Sequence, residues 1–248
     1  MGKLDSRIAV VTGAASGLGK AIALLFAREG ANIAIIDLNA GGAEAVVRQA
    51  RDLGRRGIAV VADVSDELEV GQVMERIFRE LGEPDILVNN AGIDTTSTVE
   101  EMSTEMWDEM IRVNLKSVFL CTRAVLPAMR RRGYGRIVNI SSQLAQKGGA
   151  QMAHYAAAKA GILGFTRSLS YEVAKDNITV NAICPGPLDT ELYRQLPEDW
   201  KRRKMTELIV GRAGKVEEVA PTALLLASED GGFYVGATLN PNGGDIMV

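Results

Sequence analysis

The chain is poor in the residues that build covalent staples and metal cages. Among its 248 residues are two cysteines, one histidine, 7 prolines and 5% aromatics. Cys121 and Cys184 form neither a disulfide framework nor a paired zinc motif, which fits a reducing cytoplasm. A single histidine, His154, gives a histidine-based metal site little to work with, and no metal is expected. No apolar run reaches the roughly 20 residues of a membrane span. The start, MGKLDSRIAVVTG, enters a strand without a signal peptide's apolar tract. The formal net charge is −3 and no aromatic-basic stripe is present, so neither nucleic acid nor an anionic membrane is expected as partner. Gly2 with Ser6 fits a myristoylation pattern, and Asn139 and Asn177 open glycosylation sequons. Each of these lies in or beside an expected strand, so structure is the simpler explanation.

What is present is an alternation. At 47% hydrophobic and 24% charged, with 26 glycines, the composition is that of a globular protein. Apolar runs predict strands at 7–12, 33–37, 58–63, 85–90, 136–141, 178–183 and 237–241. Helical patterns are expected over 17–29, 40–54, 66–81, 104–131, 152–175 and 216–228. Near-continuous apolar strands between amphipathic helices imply an α/β fold whose parallel sheet is covered on both faces. There is no linker, repeat or low-complexity tract, so residues 1–248 are expected to form one domain. Segment 187–212 breaks the rhythm after the sixth strand and is the natural substrate lid.

The turn after the first strand, TGAASGLG, carries Gly13, Gly17 and Gly19. Backbone without Cβ lets a pyrophosphate approach the free N–H groups of the following helix. The spacing is GxxxGxG rather than GxGxxG, so the context matters. Asp37 ends the second strand 24 residues after Gly13, where a carboxylate can accept from an adenosine ribose. The simpler alternative is a tight turn with a helix-capping acid nearby. Asp63, ending the third strand, either accepts from an adenine amino group or caps the next turn. In HYAAAK, Tyr155 and Lys159 stand four residues apart on good helix formers, and therefore on one helix face. That is either surface decoration or a proton-transfer pair.

Taken together, TGAASGLG at 12–19, NNAG at 89–92, Asn114, SS at 141–142, YAAAK at 155–159 and PGPLDT at 185–190 resemble the short-chain dehydrogenase/reductase family over essentially the whole chain. The resemblance implies a Rossmann-like, doubly wound, mostly parallel seven-stranded sheet with helices on both faces. It implies a nicotinamide dinucleotide, usually bound in dimers or tetramers; a homotetramer is expected ahead of a homodimer. It also implies that Asn114, Ser142, Tyr155 and Lys159 form the catalytic group, Ser142 lying thirteen residues before Tyr155. Cofactor contacts are implied at Gly13, Ser16, Gly17, Leu18, Gly19, Asp37, Leu38, Asp63, Val64, Asn90, Ala91, Gly92, Tyr155, Lys159, Pro185, Gly186 and Thr190.

The chemistry accords with the residue types. A tyrosine near its usual pKa of about 10 is a poor base, but a neighbouring ammonium favours the phenolate, so Lys159 is expected to lower Tyr155. Ser142 can donate to the substrate oxygen, and Asn114 is expected to hold a water or backbone linking Lys159 to proton exchange. Asp37 repels a 2′-phosphate, and no base lies in the glycine turn to offset it, so the expected cofactor is NAD. The leading expectation is a soluble, cytoplasmic NAD(H)-dependent oxidoreductase acting on a secondary alcohol/ketone pair. A 3-oxoacyl-thioester reductase, on acyl carrier protein or CoA, is the main alternative, suggested by YAAAKAGILGFTRSL at 155–169. Arg130, Arg131 and Arg132 offer a basic patch for carrier docking. A nonenzymatic dinucleotide sensor is the rival class, since fold does not dictate function. His154 is read as packing or interface, Cys184 as small filler, and KRRK at 201–204 as a solvated helix face or a contact for an anionic substrate.

Overall fold

The computed structural model describes residues 2–248, apart from the side chain of Leu192. The strands are β1 (Ile8–Thr12), β2 (Asn32–Ile36), β3 (Gly57–Val60), β4 (Ile86–Asn89), β5 (Gly135–Ile140), β6 (Ile178–Ile183) and β7 (Thr238–Leu239). They form one seven-stranded sheet in the order β3-β2-β1-β4-β5-β6-β7, and every pairing is parallel. Successive side chains of a strand face opposite sides, and the sequence places an apolar residue on both. Ala9 and Val11 of β1 join one core, while Val10 joins the other. The same division separates Ile33 and Ile35 of β2 from Ala34 and Ile36.

Helices α1 (Gly17–Arg28), α2 (Ala40–Asp52) and α10 (Val216–Ala227) cover the first face through Phe26, Val46 and Leu226. Helices α3 (Glu67–Glu80), α5 (Ser117–Arg132) and α7 (Ala153–Val173) cover the second through Ile77, Val125 and Leu169. Each such side chain, fully buried, contributes roughly 1.5–3 kcal/mol. The sheet order reverses between β1 and β4. This opens a crevice at the strands' C-terminal ends, where open α/β sheets bind ligands.

Two elements differ from the sequence pattern. The helix expected over 104–131 is α4 (Thr104–Ile111) joined to α5 by a π-helical turn, Arg112–Lys116. The apolar periodicity runs through this turn, so the sequence conceals it. Residues 187–212 carry two short helices, α8 (Glu191–Arg194) and α9 (Glu198–Glu207). A further short helix, α6 (Leu144–Lys147), follows β5. Strands β2 and β3 end before Asp37 and Asp63, which lie in the loops just beyond them. Among the described residues, no helix is long and apolar enough to cross a membrane.

The structure also accounts for the modification patterns. Asn139 is fully buried in β5 and accepts from Asn89 Nδ2 at 2.8 Å. Asn177 forms a left-handed turn and donates to Gly133 O. A Cβ on Gly2 would collide with the Glu29 carbonyl.

Candidate active site

At the crevice the glycine turn and the NNAG loop are built against each other. Gly13 has φ +61°, and a Cβ there would lie 2.7 Å from Ala91 Cα. Thr12 Oγ1 accepts from Asn90 N and Ala91 N, both at 3.0 Å. Asn90 Nδ2 donates to Thr12 O at 3.0 Å and Gly13 O at 2.8 Å. Ser16 stands at the N-cap of α1 in extended backbone, with no side-chain bond to the first-turn N–H groups. Those groups and the helix dipole therefore form an anion-binding end that the protein's own cap does not satisfy.

Asp37 Oδ2 accepts from Ala15 N at 2.8 Å and Oδ1 from Asn39 N at 2.9 Å, so the carboxylate is fixed to the turn it was expected to serve. Leu38 beside it is largely exposed. Asp63 Oδ2 pairs with Arg112 Nη1 at 2.8 Å, and Oδ1 accepts from the Ser65 amide and hydroxyl. Burial pushes the Asp63 carboxyl up, but the bonds from Arg112 and Ser65 prevail and hold it below its ordinary value. Capping of α3 falls instead to Asp66, which accepts from Leu68 N and Glu69 N.

On the other side of the crevice, α7 places Tyr155 in its first turn and Lys159 in its second. Lys159 Nζ donates to Ile140 O at 3.0 Å and lies 5.7 Å from the Tyr155 ring centroid. Ser142, two residues beyond β5, donates from Oγ to Gln143 Oε1 at 2.8 Å and accepts from Leu144 N at 3.1 Å. Asn114 is buried in the π-helical turn, exchanging bonds with Ile93: Nδ2 to Ile93 O at 3.1 Å and Ile93 N to Oδ1 at 3.3 Å. A Cβ on Gly92 would strike Asn114 Oδ1 and lie 3.5 Å from Lys159 Nζ. The π-turn is thus a local helix defect at a cluster of polar side chains, a common place for one.

These residues line one cleft of about 520 Å³, together with Val64, Pro185, Gly186 and Thr190. Thr190 Oγ1 accepts from Tyr193 N at the cap of α8. Gly19 is the exception among the expected site residues and does not line the cleft. Its missing Cβ makes room for Asn90 Nδ2 and Gly13 O, both 2.5 Å from where it would sit, so it supports the turn from behind.

The electrostatics depart from expectation. Tyr155 is not lowered: burial and the charge of Asp94 push its phenol above the ordinary value, against a pull from the Ser142 hydroxyl. Burial is the largest cause, and Lys159, with Nζ on Ile140 O, does not offset it. Burial brings Lys159 down to about 8, partly opposed by Asp94. Asp94 was not singled out by the sequence. It lines the cleft two residues after NNAG, its Oδ1 is buried with no bonding partner among the described residues, and burial raises it to about 7 against the pull of Lys159. Its only sequence signal is that adjacency. Arg112, Tyr193 and Trp200 also line the cleft without having been foreseen.

Several other expectations are now decided by geometry. His154 is fully buried with Nε2 2.8 Å from Thr95 Oγ1, and burial keeps it below its ordinary pKa, which is a packing role. Cys184 is buried and its thiol is pushed up by that burial. In KRRK, Lys201 pairs with Glu198, Arg202 with Asp199, and Lys204 is buried against Asp245 at 2.5 Å. Arg130, Arg131 and Arg132 are each engaged, with Asp176, Glu83 and the carbonyl oxygens of Glu83 and Pro84. They immediately precede β5, so they sit at the sheet edge opposite the cleft. Among the described residues, no group of three or more His, Cys, Asp or Glu is arranged to hold a metal.

Residues 7–201 match the family described as short chain dehydrogenase. The chain is 40% identical over 244 residues to the 3-oxoacyl-acyl-carrier-protein reductase FabG of Pseudomonas aeruginosa, covering 98% of this chain and 99% of that one. The FabG of Escherichia coli K12 gives the same figures, 40% over 244 residues, with 98% and 99% covered. At 39% over 241 residues, 97% of each chain, it is also similar to BbsD of Thauera aromatica, a subunit of a hydroxy(phenyl)methylsuccinyl-CoA dehydrogenase. With its doubly wound sheet and a cleft joining the glycine turn to the Tyr–Lys helix, this chain belongs to the short-chain dehydrogenase family and is an oxidoreductase of that family.

Proposed function

We propose that this protein is an NAD(H)-dependent oxidoreductase that interconverts a secondary alcohol and its ketone, with Tyr155 handling the proton. The observation that carries the reading is the meeting of Asn114, Ser142, Tyr155 and Lys159 in the same cleft as the glycine turn and Asp37. The residues fit a dinucleotide: the uncapped N–H groups of α1 suit a pyrophosphate, and Asp37, fixed by two amides, keeps lone pairs for ribose hydroxyls. Lysine and arginine side chains that could offset a 2′-phosphate are missing from the glycine turn, and neither Lys20 nor Arg48 lines the cleft. When bound, the nicotinamide supplies or accepts hydride. Tyr155 gives a proton to the substrate oxygen, or takes it in oxidation, while the Ser142 hydroxyl donates to that oxygen. Lys159 is held by Ile140 O, where its ammonium serves the dinucleotide ribose and the proton path. Asn114 keeps the Ile93 backbone, and so the loop after NNAG, in place.

The segment 187–212 supports a substrate lid. Its stem is closed by Gly214 N to Pro187 O and Asp189 N to Gly214 O, both 2.9 Å, while its helices bring Tyr193, Leu196 and Trp200 to the cleft. Asp245 ties α9 to the body through Lys204 and, at 2.6 Å, Lys147. Closure would exclude water from the reacting groups. The domain is taken to be single, and a homotetramer to be its working form. Fully exposed Phe233 and largely exposed Tyr171 support the latter, the loop of Phe233 meeting α7 where Gly236 abuts Ser170. The two buried free cysteines accord with a cytoplasmic protein.

A 3-oxoacyl-thioester reductase is the second reading, favoured by the similarity to the FabG reductases. The arginines once available for a carrier protein are paired and lie at the far sheet edge, which weighs against docking there. A spectrophotometric screen with NADH and NADPH over ketones, polyols and 3-oxoacyl thioesters tests both readings. Turnover lost in Tyr155→Phe with dinucleotide affinity retained is expected; near-normal turnover in that variant would refute the role of Tyr155.

A further inference from the structure

The carboxylate of Asp94 is a polar group that the proton chemistry of Tyr155 does not use. It lines the same cleft as Ser142, Tyr155 and Lys159. The loop that carries it is pinned on both sides. Before it, Ile93 exchanges two backbone bonds with the side chain of Asn114, and after it, Thr95 Oγ1 lies 2.8 Å from His154 Nε2. The carboxylate is therefore held in place rather than swinging on a free loop. Its Oδ1 is enclosed with no bonding partner among the described residues, the Thr95 amide bonds the carboxylate, and Lys159 and Tyr155 are both close enough to feel its charge.

A carboxylate on a cleft wall offers acceptor lone pairs to the donors of a ligand. Within the cleft, Lys159 Nζ gives one of its three N–H groups to Ile140 O, and the Ser142 hydroxyl bonds Gln143 Oε1. A hydroxyl of the ligand is a donor that this carboxylate can accept from. We propose that Asp94 determines substrate specificity by accepting a hydrogen bond from a second hydroxyl close to the reacting carbon, so that diols, polyols and hydroxyketones are favoured. This rests on the oxidoreductase reading above and names the substrate class for that site. The same carboxylate disfavours 3-oxoacyl thioesters, because their nearest polar group, the thioester carbonyl one methylene beyond the reacting ketone, is another acceptor. It likewise disfavours substrates with a carboxylate at that position, by like-charge repulsion. A site built to bond a hydroxyl discriminates strongly against the analogue lacking it, because the buried partner is then left unpaired.

The test uses full-length enzyme with saturating NAD and matched pairs: a vicinal butanediol against the corresponding butanol, then longer polyols against their deoxy analogues. Wild type is expected to show kcat/KM at least about tenfold higher for the hydroxylated member of each pair. In Asp94→Ala that ratio should fall to within about threefold, chiefly through a higher KM for the diol. Asp94→Asn keeps an amide oxygen that can accept, so its ratio should lie between the two. NADH binding, followed by fluorescence, and thermal melting establish that each variant is folded; if Asp94→Ala is not, a reduced ratio in Asp94→Asn carries the test. Equal efficiencies within the pairs in wild type, or a preference that survives removal of the carboxylate, would overturn the proposal while leaving the Tyr155 chemistry intact. No dinucleotide-linked turnover in either class would overturn both.

Discussion

The two ends of the cleft are built on different terms. At the dinucleotide end Asp37 is held by two backbone amides and Asp63 by Ser65 and Arg112. At the substrate end, Asp94 Oδ1 is buried with no bonding partner among the described residues, and the covering segment is held by ion pairs rather than by the sheet. The first end is a backbone device, rigid because a Cβ on Gly13 or Gly19 would meet Ala91 or Asn90. The second is a set of individual side chains drawn from separate loops and helices. The difference separates the two proposed selectivities: cofactor choice is assigned to a fixed carboxylate on a rigid turn, substrate choice to a carboxylate on the cleft wall.

The comparison can be broken most sharply at the residue that both ends share. Tyr155→Phe should lower kcat by about a thousandfold, within the range for removing a general acid–base, while NADH affinity by fluorescence titration stays nearly unchanged. Next in size is Asp37→Ala, at the dinucleotide end. It should improve NADPH use and weaken NADH use, shifting the ratio of kcat/KM values by about thirtyfold or more as a charged repulsion worth ~2 kcal/mol is removed. Wild-type preference for NADPH would contradict the assignment.

Two smaller effects probe the substrate end. Asp245 takes both Lys147 and Lys204 with its side chain fully enclosed, so Asp245→Asn leaves buried Lys204 underpaired. Amide exchange across α9 should quicken by about tenfold, with the sheet unaffected. Unchanged exchange in α9 would mean that this ion cluster does not restrain the segment. The smallest effect is on pH dependence. The Asp94 charge raises both Tyr155 and Lys159. Neutralising it in Asp94→Asn must lower both, so the pH at which alcohol oxidation reaches half its maximum should fall by about half a unit or more. A rise would show that the carboxylate does not act on these groups by its charge.

The sequence made the dinucleotide end legible because backbone demands leave local marks. Gly13 and Gly17 mark positive φ, the alternation of apolar strands marks a two-faced parallel sheet, and Tyr155 and Lys159 share a face because helix geometry says so. The substrate end was harder to read for a physical reason. Asp94 is one polar residue in a loop, and its burial depends on α7 and on the π-helical turn, both distant in sequence. That turn was hidden within a continuous apolar period. KRRK looked like four equivalent cations, yet only Lys204 is enclosed, because Asp245 from the far end of the chain meets it. The expected lowering of Tyr155 failed similarly: spacing puts the ammonium on the right face, but burial of the phenol, which spacing does not report, outweighs it.

The claim that the two ends hold their selectivities independently is tested most directly by a double-mutant cycle. In wild type, Asp37→Ala, Asp94→Ala and the double variant, two ratios of kcat/KM are measured: NADH over NADPH with one ketone, and diol over mono-alcohol with NAD. The account predicts that Asp37→Ala moves only the first ratio and Asp94→Ala only the second, and that the double variant shows both changes within about twofold of their separate values, as expected of uncoupled sites. A substrate ratio that shifts with Asp37, or a cofactor ratio that shifts with Asp94, would show that the cleft works as one coupled unit and contradict the account.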